Sequence, residues 1–385
     1  MSIIITDQYK DLTIYHYDDF TTDPDMLNVR GVVKNDQDQV VCKTFGYTPE
    51  VVVTNHTELN AKIAPLITES TRFFKSYEGT LFRVWSYQGE WFLSTHRKFS
   101  ASRSKWGCKK TYAELFLSAL KTALNGDEHP SAVFNIWTSS LNPEKIYVCL
   151  LRTYDENRKV CKGFELPQLY IVGSFDRANN FAYSFDNPEV KLEACEEIHT
   201  ITSAEELVDY VEKVNFWECQ GVVVMNNDAS SGKIVNATYD FYDKLRGNVA
   251  NVLHRYVQLR WDAQKRQQFI DLYPEHFSVF QEWEQTMNAI VDNIFEKYID
   301  RFVKHTTAIV PPDQFVVMKQ LQDKYKYELY PKYLRVNKDH VWEILGTWQE
   351  RDVNTLYKEF KSRERLFGNG NSISQGLKNA ITSRQ

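Results

Sequence analysis

The hydrophobic rhythm of this chain changes once, near residue 245, and that change limits the fold more than any other feature. Before it, short apolar runs alternate with polar residues and end in turns, the period-2 pattern of half-buried strands. "RGVVKNDQDQVVCKTF" (30–45) sets two such runs around the polar turn KNDQDQ, a hairpin pattern, and "TLFRVWSYQGEWFLSTH" (80–96) repeats it with Gly89 in the turn. "KIYVCLLRTY" (145–154) and "GVVVMNN" (221–227) read as buried strands, and "AELFLSALKTAL" (113–124) as a helix. After the change, Phe280, Trp283, Met287, Ile290, Ile294, Tyr298 and Phe302 recur at three- and four-residue steps, which is helix periodicity. Pro311-Pro312 is expected to stop that helix, and "VWEILGTWQERDVNTLYKEFKSR" (341–363) to form one more, weakened by Gly346. The expected class is α+β. Antiparallel sheets with flanking helices would occupy residues 1–245, an all-α domain 246–366, and a flexible polar tail 367–385.

Bulk properties exclude several functions. With 385 residues, 43% hydrophobic and 14% aromatic, the chain has material for two packed cores and is not a disordered protein. A net charge of -5 excludes blanket coating of nucleic acid, although a local basic groove is compatible with it. The six cysteines form no CxxC pair, so neither a zinc module nor a disulfide framework is expected. No stretch approaches the roughly 20 apolar residues of a membrane span. The start, MSIIITDQYK, lacks the basic region of a secretory signal, so an intracellular, cytoplasmic protein is expected. There is no GxxxxGK[ST] phosphate loop.

Five blocks occur in a fixed order: "RGVV…KTF" (30–45), "SYEGTLFRV" (76–84), "STHRKFSASRSKW" (94–106), "LLRTYDENRKV" (150–160) and "QGVVV…GKIVNATY" (220–239). In order and spacing they resemble the bacteriophage-type single-strand RNA ligases of the covalent nucleotidyltransferase superfamily. Similar wording around "EGTL…STHRK" also resembles ligase-like proteins of large DNA viruses, which implies a virus-encoded chain. The resemblance covers most of the sequence, and over the helical C-terminal part it is architectural only. In that family a lysine amine attacks the α-phosphate of ATP, and the AMP then passes to an RNA 5′-phosphate. Such a lysine must be available unprotonated, carboxylates must hold a divalent metal, and further lysines must offset phosphate charge.

The departures fall on the chemical positions. The family pattern at the nucleophile is Lys-any-acid-Gly. Anchored on Gly79, the acid is Glu78 and the lysine position is Ser76, with Lys75 one residue early. On a strand that single step turns Lys75 to the opposite face unless a bulge intervenes. The family's nucleotide-contacting glutamate aligns with Leu151, its metal-binding glutamate with Gln220, and its second distal lysine with Val235, while Lys233 is kept. Glu218, two residues from Gln220, is the substitute metal ligand on the same strand face. Arg30 falls where the family grips a terminal phosphate, or is an ordinary surface arginine beside a hairpin.

"THRKFSASRSKWGCKK" interleaves Arg97, Lys98, Arg103 and Lys105 with Phe99 and Trp106, a pattern suited to single-stranded nucleic acid; a basic loop with two core anchors reads equally well. Asp155 and Glu156 are either metal ligands or a charged turn. Three functions follow. The leading one is a ligase-fold pseudoenzyme that binds a nucleotide or RNA end through Arg30, Glu78, Gly79, Arg97, Lys98, Arg103, Lys105 and Lys233, or serves assembly, and needs no cofactor. The second is an active RNA ligase using Lys75, ATP and Mg2+ or Mn2+, with Glu78 and Glu218 supplying acidity. The third is a structural scaffold, for example in a virion, whose helical domain docks a protein partner.

Overall fold

A computed structural model of the chain describes residues 3–153, 158–162, 165–306 and 309–367. The chain divides into two compact units between Ala250 and Asn251. The first holds three sheets, with strands numbered in chain order. One is the antiparallel meander of β1 (Ile3–Tyr9), β2 (Leu12–Tyr17), β3 (Arg30–Lys34) and β4 (Val40–Cys42). A second contains β5 (Glu50–Val52), β6 (Arg72–Ser76), β13 (Gly221–Met225) and β14 (Ser231–Val235), in the order β5-β14-β13-β6; only the β5–β14 pairing is parallel. The third runs β11-β10-β9-β7-β8, built from β7 (Thr80–Tyr87), β8 (Glu90–Ser94), β9 (Lys145–Arg152), β10 (Gln168–Asp176) and β11 (Ala182–Ser184). The short β12 (Glu193–Ala194) lies parallel to β10.

The helices of this unit are α1 (Pro24–Leu27), α2 (His56–Lys62), α3 (Tyr112–Ala123), α4 (Pro130–Ser139), α5 (Ala204–Lys213) and α6 (Ala237–Arg246). Strands β7, β9 and β13 carry apolar residues on both sides, so the two sheets they belong to bury both faces. Phe82 and Val84 of β7 pack with Phe116 of α3 and Trp137 of α4. Val222 and Val224 of β13 pack with Leu59 of α2 and Leu207 of α5. A third cluster joins Val33, Phe74, Trp85, Val148 and Met225, residues of all three sheets, so the sheets converge on one core. Thr111 and Glu114 form a reciprocal capping box at the start of α3, which fixes where that helix begins.

Beyond residue 250 the described residues contain no strand. The helices are α7 (Val252–Gln258), α8 (Ala263–Leu272), α9 (Phe277–Tyr298), α10 (Pro312–Lys324), α11 (Lys338–Thr347) and α12 (Glu350–Phe367). Two sequence expectations need correction. The long helix α9 runs into a wider π-type turn, Ile299–Val303, and ends there, well before Pro311. Pro312 instead opens α10, because a missing N–H has no cost in the first turn. The expected single helix over 341–363 is two, broken at Trp348, whose backbone is extended. Gly346 lies inside α11, where a Cβ would sit 3.3 Å from the ring of Trp261. Of the expected tail 367–385, Phe367 closes α12 and 368–385 lie outside the described residues, as do Asp155, Glu156 and Asn157.

Candidate functional site

Where the three sheets converge they leave a cavity of about 390 Å³. Phe74, Phe185, Val223 and Met225 give it apolar walls, while Arg30, Ser76, Gln220 and Lys233 supply polar groups. That volume suits a small organic ligand held mainly by apolar walls and oriented by a few polar groups.

The pairing of β6 with β13 decides which side chains face this cavity. Ser76 is opposite Gly221, Lys75 opposite Val222 and Phe74 opposite Val223, with no bulge. Phe74 and Ser76 therefore share a face with Val223, whereas Phe73 and Lys75 share the other with Val222, against α5. Gly221 is required here: its φ is +151°, and a Cβ would lie 2.0 Å from the Ile234 carbonyl oxygen. Gly79 is required by proximity, since a Cβ would approach the Leu151 carbonyl oxygen to 2.5 Å. Leu151 itself is a buried core residue of β9.

A chain of hydrogen bonds closes the chemical positions on one another. Buried Ser76 donates from Oγ to Gln220 Oε1 at 3.3 Å, and Gln220 Nε2 donates to the Tyr239 hydroxyl at 2.9 Å. Tyr239 donates in turn to Glu78 Oε2 at 3.0 Å. Glu78 also accepts the backbone N–H groups of Lys159 at 2.5 Å, Val160 at 2.8 Å and Cys161 at 3.1 Å. Tyr239 is placed by the N-cap of α6, where Asn236 Oδ1 accepts from the Thr238 and Tyr239 N–H groups. Burial, and then Glu78, push the Tyr239 hydroxyl well above its ordinary pKa, so it keeps the proton it donates.

Lys75 also borders the cavity, but its ammonium lies 2.7 Å from Glu196 on the α5 side. The hydrogen bond to Glu196 raises its pKa above the ordinary 10.5, against a smaller lowering by burial. A nucleophilic amine needs the reverse shift. Glu218 accepts from Asn215 Nδ2 at 3.0 Å and borders the groove along α5, not the main cavity. Among the described residues no three His, Cys, Asp or Glu side chains cluster as metal ligands. Glu50, the one carboxylate among the described residues that border the cavity, is 3.1 Å from Lys233. Gln220 offers only a neutral amide, a poorer ligand for a hard divalent cation than a carboxylate.

Arg30 is the exception among the cavity's charges. Arg72 is paired bidentately with Glu197, Lys75 with Glu196 and Lys233 with Glu50. Among the described residues, the hydrogen-bond partner of the Arg30 guanidinium is the Gly46 carbonyl oxygen, 3.4 Å from Nη1. Burial lowers its pKa, Tyr17 opposes that and nearby Arg83 adds to it. Burial likewise drives His96 well below its ordinary 6.5, reinforced by Arg30, Arg83 and His16, and the His96 Nε2 atom is buried without a partner. This corner is electropositive and has no carboxylate to balance it among the groups acting on Arg30.

The basic stretch lies elsewhere and is largely engaged. Arg103 reaches both oxygens of Asp7 at 2.9 and 3.0 Å, Lys98 donates to the Thr6 carbonyl at 3.1 Å, and Arg97 pairs with Asp19. Phe99 is buried, its N–H held by Asp7, and Trp106 lies beneath the Arg246 guanidinium at 5.1 Å. Lys105 is exposed. The cavity thus gathers Arg30, Lys75, Gly79 and Lys233 and leaves Arg97, Lys98, Arg103 and Lys105 out. Sequence reasoning missed Tyr239 and Glu196. Tyr239 lay within a quoted block, but only the α6 cap aims it at Glu78; Glu196 is brought to Lys75 by strand pairing alone.

No protein-family profile matches the chain. It is 25% identical over 372 residues to an "Immediate-early protein ICP-46 homolog" of Invertebrate iridescent virus 6, covering 91% of this chain and 81% of that protein. It is 23% identical over 291 residues to the "Putative bifunctional polynucleotide kinase/RNA ligase" of Autographa californica nuclear polyhedrosis virus, covering 73% of this chain but 40% of that protein. Among solved structures it is similar to an archaeal ATP-dependent RNA ligase, with 10% identity and a TM-score of 0.41 over 70% of this chain and 67% of that one.

Proposed function

We propose that this chain is a virus-encoded, ligase-type protein that holds the phosphate end of a nucleotide or RNA without forming a covalent lysyl-adenylate. The observation that carries the reading is the closed chain Ser76–Gln220–Tyr239–Glu78. A lysine at position 76 and a glutamate at 220 would offer an amine to a phosphate and a carboxylate to a metal. Serine and glutamine satisfy each other as neutral partners, and Glu78 is consumed by backbone N–H groups. Lys75 does not replace the missing amine, because Glu196 stabilises its protonated form. Arg30 is the group left to receive an anion, and a guanidinium suits phosphate through paired donors. The similarity to a viral polynucleotide kinase/RNA ligase supports a nucleic-acid end as the ligand class.

The test is intact-protein mass spectrometry after incubation with ATP, and separately GTP, in Mg2+ or Mn2+, alongside calorimetric titration of the nucleotide. The expected outcome is no covalent gain, together with binding that Arg30→Ala weakens by about tenfold, the worth of one charge-assisted hydrogen bond. A gain of roughly one nucleoside monophosphate, absent in Lys75→Ala, overturns the reading in favour of an active ligase. Absence of nucleotide and RNA-end binding overturns it in favour of a scaffold.

A further inference from the structure

From the geometry of the second unit we infer that the segment between α10 and α11 is a docking platform for single-stranded nucleic acid. It is separate from the cavity and does not depend on how the cavity is read. After α10 the chain makes a π-type turn (Tyr325–Leu329) and a tight 3-10 turn (Tyr330–Lys332). Tyr333 then closes it in the left-handed region at φ +56°. Helices that close this way ordinarily use Gly or Asn, because a Cβ is strained there. Here the position carries a tyrosine, and that tyrosine is 97% exposed.

It is not alone. Tyr327 is 77% and Tyr330 65% exposed, so three rings stand in solvent within seven residues. None of the three is buried, although Tyr330 meets the ring of Tyr325 edge-on at 5.8 Å. Leu329 is the buried anchor, and the Tyr333 and Leu334 N–H groups close back on the carbonyls of Tyr330 and Leu329 at 3.0 Å each. Rings held out by a fixed backbone lose little freedom on binding, which favours their use as contact surfaces.

The charge beside them selects the partner. Lys326, Lys332 and Arg335 are exposed and have no carboxylate within ion-pair distance among the described residues. Of the nearby acids, Glu328 and Glu343 share Lys324 at 2.8 and 3.1 Å and Asp292 lies 2.7 Å from Lys338, while Asp323 and Asp339 have no cation within ion-pair distance among the described residues. Exposed cations interleaved with exposed rings match a polyanion whose bases present open π faces. A duplex keeps its bases stacked and offers no such faces. Leu334 is the one large exposed aliphatic side chain of the segment, so the apolar area offered to a bilayer is small, and vesicle binding is the competing outcome of the test.

The test is fluorescence anisotropy of a fluorescein-labelled oligouridine with the full chain, the triple variant Tyr327→Ala/Tyr330→Ala/Tyr333→Ala, and the triple variant Lys326→Ala/Lys332→Ala/Arg335→Ala. The tyrosine triple is expected to weaken binding by at least about tenfold, since each stacked base contributes on the order of 1–3 kcal/mol. The cation triple is expected to flatten the slope of log affinity against log salt by about 2, at roughly 0.7 for each phosphate no longer neutralised. Both should leave the calorimetric ATP titration unchanged, which separates this platform from the cavity. Wild-type affinity in both triples, or no oligouridine binding by the wild type, overturns the inference. So does binding to phosphatidylserine vesicles but not to oligouridine.

Discussion

Replacing Glu78 by alanine distinguishes a structural carboxylate from a chemical one. In an active ligase-type site this residue would serve the reaction, and its loss would spare folding. Here its two oxygens accept three backbone N–H groups and the Tyr239 hydroxyl. Val160 and Cys161 are buried, so their N–H groups find no water when the carboxylate goes, while the half-buried Lys159 can rehydrate. Leaving a buried donor unpaired costs about 1–3 kcal/mol, and these two, with the buried Tyr239 hydroxyl as a third, give roughly 3–4 kcal/mol because neighbouring losses do not add fully. For a unit of this size each kcal/mol moves Tm by about 2–4 °C, so a fall of roughly 5–15 °C is expected. Glu78→Gln keeps one acceptor oxygen and should fall between the two. Differential scanning calorimetry of the full chain reads this directly, because two units can give two transitions. If Glu78→Ala melts within about 1 °C of wild type while nucleotide binding disappears, the carboxylate is a ligand group and the closed-chain reading is wrong.

The remaining predictions test the frame around it. Gly221→Ala should abolish soluble expression or cost several kcal/mol, because its Cβ would meet the Ile234 carbonyl oxygen at 2.0 Å. Gly89→Ala, at φ +80° with nothing within 4 Å, should cost only about 1 kcal/mol of left-handed strain in the same melt. Tyr239→Phe removes the hydroxyl between Gln220 and Glu78 and should destabilise by roughly 1–2 kcal/mol in urea. Lys75→Met should cost less than about 1 kcal/mol at neutral pH, since its partner Glu196 is half exposed. The lysine's share of that stability is present below its ordinary 10.5 and disappears as pH rises through the raised value. The glutamate's share is present above its ordinary 4.5 and disappears as pH falls through the lowered value. Urea melts of wild type and variant should therefore converge in acid and again in strong alkali; a gap that persists in acid would show that Lys75 has another partner.

How much of this was legible depends on the range of the interaction. The β3–β4 and β7–β8 hairpins follow from alternation and local turns, and α3 from a helical run with its capping box. Helix ends were misplaced where tertiary packing overrode punctuation. Gly346 looked like a weak point but packs under Trp261, and Pro311-Pro312 looked like a stop but opens α10. Four departures from the charged positions of the resembled family were legible, since those are properties of single positions. What replaced them was not. Ser76 and Gln220 are 144 residues apart, Tyr239 is 161 from Glu78, and Glu196 meets Lys75 only through the bridge beside β6. Charge losses read one at a time look like decay. Ser76 and Gln220 close on each other and, through Tyr239, on the Glu78 carboxylate, while Arg30 borders the same cavity. Buried Tyr239 and the Glu78 carboxylate are satisfied within the fold itself, as any stable buried polar network requires.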